Sequence, residues 1–156
     1  MTLPKILVSR CLYGGDPVRY DGRDKAETDE IFDKWRREGR LVPVCPEVDG
    51  GLPVPRPPAE IVGDRIINAE GIDVTREYRT GAEAAVKTAL AENVAFCIMK
   101  ESSPSCGSSN IYDGSFAGVK IPGEGLTVRL LRENGFKVFS EKEIKKAEEY
   151  LLMTSR

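Results

Sequence analysis

The chain contains no histidine. That absence removes Ser-His and Cys-His nucleophile pairs, imidazole general bases and every zinc site that needs an imidazole ligand. Cys-x-x-Cys is also missing, although cysteines stand at positions 11, 45, 97 and 106, so a dithiol redox reaction lacks its usual motif. No apolar run approaches the roughly 18 residues of a membrane span. Residues Met1-Thr2-Leu3-Pro4-Lys5 lead into a strand-like segment without the apolar stretch of a signal peptide. Neither sign of charge dominates: 23 Lys and Arg stand against 25 Asp and Glu. No global field therefore favours a large nucleic acid or an anionic membrane. These absences predict a cytoplasmic protein whose dispersed cysteines are core, metal-binding or catalytic residues rather than a disulfide framework.

What is present fits one domain over residues 1–156, with 40% hydrophobic and 31% charged residues. Short apolar runs predict strands at 5–9, 41–44, 94–99 and 136–139, with Pro43 confining the second to an edge. Helical periodicity appears over 28–38 (Ile31, Phe32, Trp35) and over 74–92 (Val74, Tyr78, Ala82, Ala85, Val86, Ala89, Leu90). Residues 126–134 read as a third helix ending at Gly135. The capping box Ser140-x-x-Glu143 opens a fourth, with Ile144, Ala147, Tyr150 and Leu151 on its apolar face. A small hairpin fits 61–67 around Gly63-Asp64, and the proline-rich stretch 48–60 reads as a semi-rigid surface loop. Alternating strands and helices predict an α/β fold, a three-layer Rossmann-like domain with a mostly parallel sheet.

Cys11, Cys45 and Cys106 each lie just beyond the C-terminal end of a predicted strand, the edge where open α/β sheets bind ligands. Cys97 sits inside the apolar run 94–99 and reads as packing. Either the other three are unrelated or they converge on one crevice. If they converge, three thiolates with Glu47 or water could hold zinc, although structural zinc usually takes four N or S ligands. Thiolates also suit an iron–sulfur cluster, which ordinarily takes four cysteines. Three would leave one iron open, a Lewis acid able to bind substrate. In the segment around Cys106, Pro104 biases Ser103 towards extended geometry, and Gly107 permits a positive φ or a close backbone approach.

Five blocks sharpen this reading. They are Ile6-Leu7-Val8-Ser9-x-Cys11-Leu12-x-Gly14 with Arg19-Tyr20-Asp21-Gly22; Val44-Cys45-Pro46-Glu47-x-x-Gly50-Gly51-Leu52-Pro53; Pro55-Arg56-x-Pro58-Ala59-Glu60-Ile61; Lys100-x-x-Ser103-Pro104-Ser105-Cys106-Gly107; and Gly123-x-Gly125-Leu126-Thr127. In this order, over nearly the whole chain, they resemble the thiouracil desulfurase (TudS) family in its stand-alone form. Tyr13 departs from the aliphatic residue expected there, which bears on pocket shape and not on ligation.

The resemblance implies an oxygen-sensitive 4Fe–4S cluster held by Cys11, Cys45 and Cys106, with one open iron, prone to loss on aerobic purification. It implies non-redox hydrolysis of a thiolated pyrimidine, as base, nucleoside or nucleotide, to the oxo-pyrimidine and hydrogen sulfide. Glu47 and Ser103 match its catalytic pair around a water. Ser105, Arg19 and Arg56 are candidate substrate contacts, and Gly123-x-Gly125 either cradles phosphate or marks a turn. Blander roles stand beside these: a solvated or ion-paired Glu47, a Ser103 bonded to local backbone, an Arg19–Asp21 loop clasp, and an Arg56 paired with a carboxylate. The competing function is a non-catalytic cluster- or metal-binding module for sensing or for sulfur or metal transfer. Oligomeric state is not legible.

Overall fold

The computed structural model describes residues 3–154. Four parallel strands form the central sheet: β1 (Ile6–Ser9), β2 (Leu41–Val44), β5 (Phe96–Met99) and β8 (Val138–Ser140), in the order β2-β1-β5-β8. Pro43, which has no N–H to give a second neighbour, sits on the edge strand β2, as its chemistry requires. Between these strands run α1 (Arg10–Tyr13), α2 (Glu30–Arg37), α3 (Pro46–Asp49), the hairpin β3 (Ala59–Val62) and β4 (Arg65–Asn68), and α4 (Thr75–Ala91). A second hairpin, β6 (Asn110–Tyr112) and β7 (Lys120–Pro122), precedes α5 (Leu126–Glu133), and α6 (Ile144–Thr154) ends the described chain.

Side chains on a strand alternate between faces, and both faces of this sheet are covered. Ile6, Val8, Phe96, Ile98 and Phe139 pack with Phe32 and Trp35 of α2 and with Ile144, Ala147 and Leu151 of α6. Leu7, Cys97, Met99 and Val138 face the other way, against Ala85 and Ala89 of α4 and Val128 and Leu131 of α5. The three layers of the Rossmann-like expectation are therefore present. Phe96 centres the first face, edge-on to Trp35 (5.8 Å) and to Phe139 (5.6 Å). Such ring pairs add about 0.5–1.5 kcal/mol each beyond burial. The β3–β4 hairpin lies outside the sheet and packs through Ala59 and Ile66 on Tyr78 and Ala82 of α4.

Several boundaries differ from the sequence reading for identifiable reasons. Asp29 caps α2 by accepting from the N–H groups of Ile31 (2.8 Å) and Phe32 (3.3 Å), so the helix starts at Glu30 rather than at 28. Strand β8 starts at Val138 and not at 136, because the Phe136 N–H closes α5 on the Leu131 carbonyl. Leu90 is 57% exposed: the buried stripe of α4 follows Tyr78, Ala82, Ala85 and Ala89, and Leu90 stands a further 100° around the helix. The β6–β7 hairpin was not anticipated, since its three-residue strands carry no buried alternation. No helix among the described residues is long and apolar enough to cross a membrane.

Candidate active site: a thiol-lined crevice at the sheet's carboxyl edge

In a sheet of this order the chain turns outward in opposite directions from β1 and β5, which opens a crevice beyond their carboxyl ends. Here that crevice has a volume of about 480 Å³ and is lined by Cys11, Cys45, Cys106, Glu47, Ser103, Arg19, Arg56, Tyr78 and Lys100, among others. The three loop cysteines thus converge. Cys97 is fully buried between the sheet and α4–α5 and does not line it.

Each cysteine is delivered by its own local device. Cys11 follows directly on β1 in the short α1. Cys45 occupies the N-cap of α3, with Pro46 at the first helical position, where its missing N–H costs nothing. The Cys45 N–H donates to Asp49 (3.2 Å). Cys106 lies in the loop after β5, whose conformation is organised by Glu101. One Glu101 oxygen accepts from the backbone N–H groups of Ser102, Ser108, Ser109 and Asn110, and the other from the hydroxyls of Ser108 and Ser109, all at 2.9–3.2 Å. Desolvation raises the pKa of this carboxyl, but the hydrogen bonds outweigh it and bring the value down to about 2. Gly107 supplies a close approach rather than a positive φ: a Cβ there would lie 2.6 Å from the Asn110 carbonyl oxygen.

Ser103 has its oxygen engaged. Its hydroxyl accepts from the N–H groups of Ser105 and Cys106, each at 3.1 Å. With both lone pairs so occupied, its own proton is free to donate into the crevice. Ser105 behaves differently. It is fully buried, bonded to the Thr127 hydroxyl at 2.6 Å, and is not part of the crevice wall. The Gly123-x-Gly125 turn does not offer an open phosphate cradle: the N–H groups of Leu126 and Thr127, at the start of α5, already donate to the carbonyls of Pro104 and Ser105. This turn instead braces the Cys106 loop from behind, and a Cβ on Gly125 would be 2.4 Å from Ser105.

Glu47 is 18% exposed at its side chain and held on one oxygen. The Tyr78 hydroxyl donates a short hydrogen bond to Oε1, and Arg56 Nε lies 3.4 Å from the same atom. Arg56 is 5% exposed and spends its other donors on the carbonyls of Pro53 (3.0 Å) and Val18 (2.8 Å), so it clasps three segments together. Its carboxylate pairing is therefore the observed contact. Arg19 lines the crevice from a loop tied by Asp24 and pairs with Asp21 at 3.5 Å. Tyr78 entered the sequence reading only as an apolar helix position. The signal that it does more was the nearby Gly81. Helix α3 crosses α4 so closely that a Cβ on Gly81 would be 1.6 Å from the Pro46 carbonyl oxygen, and one on Gly50 would be 1.9 Å from that of Glu77. The glycine pair thus brings Glu47 onto Tyr78.

The three thiols disfavour ionisation as they stand. Burial pushes Cys11 up to about 12, with Asp24 and Cys45 adding to it and Lys100 opposing. Burial likewise raises Cys45 and Cys106, and the Cys11 and Cys45 charges add to the rise at Cys106. Three thiolates here need a positively charged partner, which a bound metal group supplies. Among the described residues no three His, Cys, Asp or Glu groups form a set for a single metal ion. A cluster makes a different demand, since each thiolate takes its own iron, and the all-sulfur donor set fits it.

The chain is thus a doubly wound α/β protein whose strand ends bring three thiols, a clasped carboxylate and a serine to one crevice. The chain is a member of the 2-thiouracil desulfurase family, whose sequence profile matches residues 6–143. It is 44% identical over 149 residues to the uncharacterized protein YbbK of Bacillus subtilis (strain 168), covering 89% of this chain and 97% of that one. Among solved structures it resembles the 4Fe–4S-dependent thiouracil desulfidase TudS with a TM-score of 0.93 at 48% identity. That match covers 97% of this chain and 99% of the other.

Proposed function

We propose that this protein is a single-domain, cytoplasmic, iron–sulfur-dependent thiouracil desulfidase that hydrolyses a small thiolated pyrimidine to the oxo-pyrimidine and hydrogen sulfide. The observation that carries the reading is the convergence of Cys11, Cys45 and Cys106 on one crevice with Glu47 and Ser103. Its volume of about 480 Å³ lies in the range of small-molecule sites. In this proposal Cys11, Cys45 and Cys106 hold a 4Fe–4S cluster. When bound, the cluster supplies an iron without a protein ligand, a Lewis acid for the soft thiocarbonyl sulfur.

The chain's own residues account for the water. Glu47 accepts its proton as general base, while Tyr78 and Arg56 fix the carboxylate on one oxygen and leave the other for the water. Ser103, already accepting two N–H bonds, donates its proton to the water or to the oxygen that develops on the substrate carbon. The balance is a thiocarbonyl and one water giving a carbonyl and hydrogen sulfide, with no electron gained or lost. Arg19 at the crevice wall is a candidate substrate contact. Ser105 acts through Thr127 and the loop, and Arg56 through Glu47.

The test is anaerobic reconstitution with iron and sulfide, followed by incubation with thiouracil. Stoichiometric release of uracil and sulfide is expected. A fully loaded cluster that releases neither from any thiolated pyrimidine would leave only a cluster-binding module.

A further inference from the structure

Three aromatic rings at the crevice come from outside the core, and one of them, Tyr20, is already faced by the Arg19 guanidinium, 5.4 Å from its centroid. Tyr112 and Phe116 both line it, and both belong to the β6–β7 hairpin. The tip of this hairpin is tied down at several points. The Asp113 N–H donates to the Val119 carbonyl at 2.9 Å, and Asp113 also accepts from the Ser115 N–H at 2.9 Å. Glu60 of β3, 9% exposed, uses one oxygen to accept from the N–H groups of Gly114 (2.9 Å) and Phe116 (3.2 Å). Gly114 lies so close to β3 that a Cβ would be 2.7 Å from the Ile61 carbonyl oxygen.

Phe116 has a φ of 59°, a left-handed conformation that bulky side chains rarely adopt. Such strain persists only where the surroundings over-determine it. The ring gains little burial in return, for Phe116 is 40% exposed. Tyr112 is already faced by the Lys120 ammonium, 5.6 Å from its centroid. Phe116 has no ring or cation partner among the described residues. A strained, anchored and unpartnered aromatic face therefore stands in the crevice wall.

We propose that Phe116 is the face on which the substrate's ring stacks, and that Glu60 is the positioning residue holding it there. The inference rests on the desulfidase reading and adds the residues that hold the substrate's ring. Offset stacking on an aromatic side chain tolerates changes in ring identity but not loss of planarity.

The experiment compares cluster-loaded wild type with Phe116→Leu, which keeps apolar bulk without a flat face, and Phe116→Tyr, which restores the face. KM for thiouracil and, independently of turnover, calorimetric Kd for uracil are measured. Phe116→Leu is expected to raise both about tenfold, or about 1.4 kcal/mol, with kcat within roughly threefold and cluster absorbance unchanged. Phe116→Tyr is expected to stay within about twofold of wild type. Glu60→Ala is expected to raise KM as well, without adding to Phe116→Leu in the double variant, because both remove one interaction. Unchanged KM and Kd in Phe116→Leu, equal impairment of the Leu and Tyr variants, or full additivity with Glu60→Ala would overturn the assignment. Uracil binding that depends on Phe116, in a protein that releases no sulfide from thiouracil, would instead overturn the desulfidase reading and leave the stacking face standing.

Discussion

Replacing Glu101 with glutamine tests whether one buried carboxylate holds the Cys106 loop together. The side chain keeps its shape and retains an oxygen for the four backbone N–H groups, while the hydroxyls of Ser108 and Ser109 can rotate to accept from the new amide. What is lost is the charge that makes these bonds strong. The fall of the carboxyl from 4.5 to about 2 corresponds to about 3.4 kcal/mol at face value, and to roughly 2–3 kcal/mol of stabilisation at neutral pH once discounted for solvent screening. For a chain of 156 residues that is a melting-temperature loss of about 4–12 °C at pH 7. The sign in pH follows from the direction of the shift. A depressed pKa stabilises the folded state above the unfolded value, and that contribution is lost as pH falls from 4.5 towards 2. The gap between wild type and Glu101→Gln, read from urea midpoints at pH 7, 5, 4 and 3, should therefore be constant down to about pH 5 and narrow below it. On cluster-free protein the variant should also label Cys106 faster with a thiol reagent. A variant as stable as wild type at pH 7, or a gap that widens on acidification, would refute the reasoning.

Other consequences can be checked with the same protein. Cys97→Ala should keep the cluster's visible absorbance after reconstitution while Cys45→Ala loses it, and the reverse pattern would overturn the ligand set. Glu47→Gln should keep that absorbance and lose turnover by about 10²–10⁴-fold, as for a general base. Unchanged turnover would remove Glu47 from the chemistry. Gly81→Ala should raise stability by about 1 kcal/mol on helix propensity alone. The 1.6 Å approach of its Cβ to the Pro46 carbonyl predicts the opposite, a net loss of about 1–2 kcal/mol. Turnover should fall too as Glu47 moves off Tyr78, and a raised melting temperature would exclude the close crossing.

Periodicity and punctuation carried most of the fold. Strand positions followed from short apolar runs, the edge placement of β2 from Pro43, and the last helix from the Ser140–Glu143 capping box, because each signal depends on residues near one another in sequence. The convergence of Cys11, Cys45 and Cys106 was legible as a possibility, since strand ends share one edge of a parallel sheet. That possibility became a crevice only when strand order set β1 between β2 and β5. The Glu47–Tyr78–Arg56 clasp was not legible, because its members are separated by 31 and 9 residues and meet through a helix crossing that two glycines permit. Nor was the setting of Glu101 or Phe116. A carboxylate collecting six donors and an aromatic held at positive φ are products of loop closure, which no local pattern encodes. The sequence by itself determined which chemistry was excluded, by having no histidine, and which thiols could reach one edge. Tertiary structure alone decided what orients the carboxylate and which side chains wall the crevice, because those contacts join segments with no common periodicity.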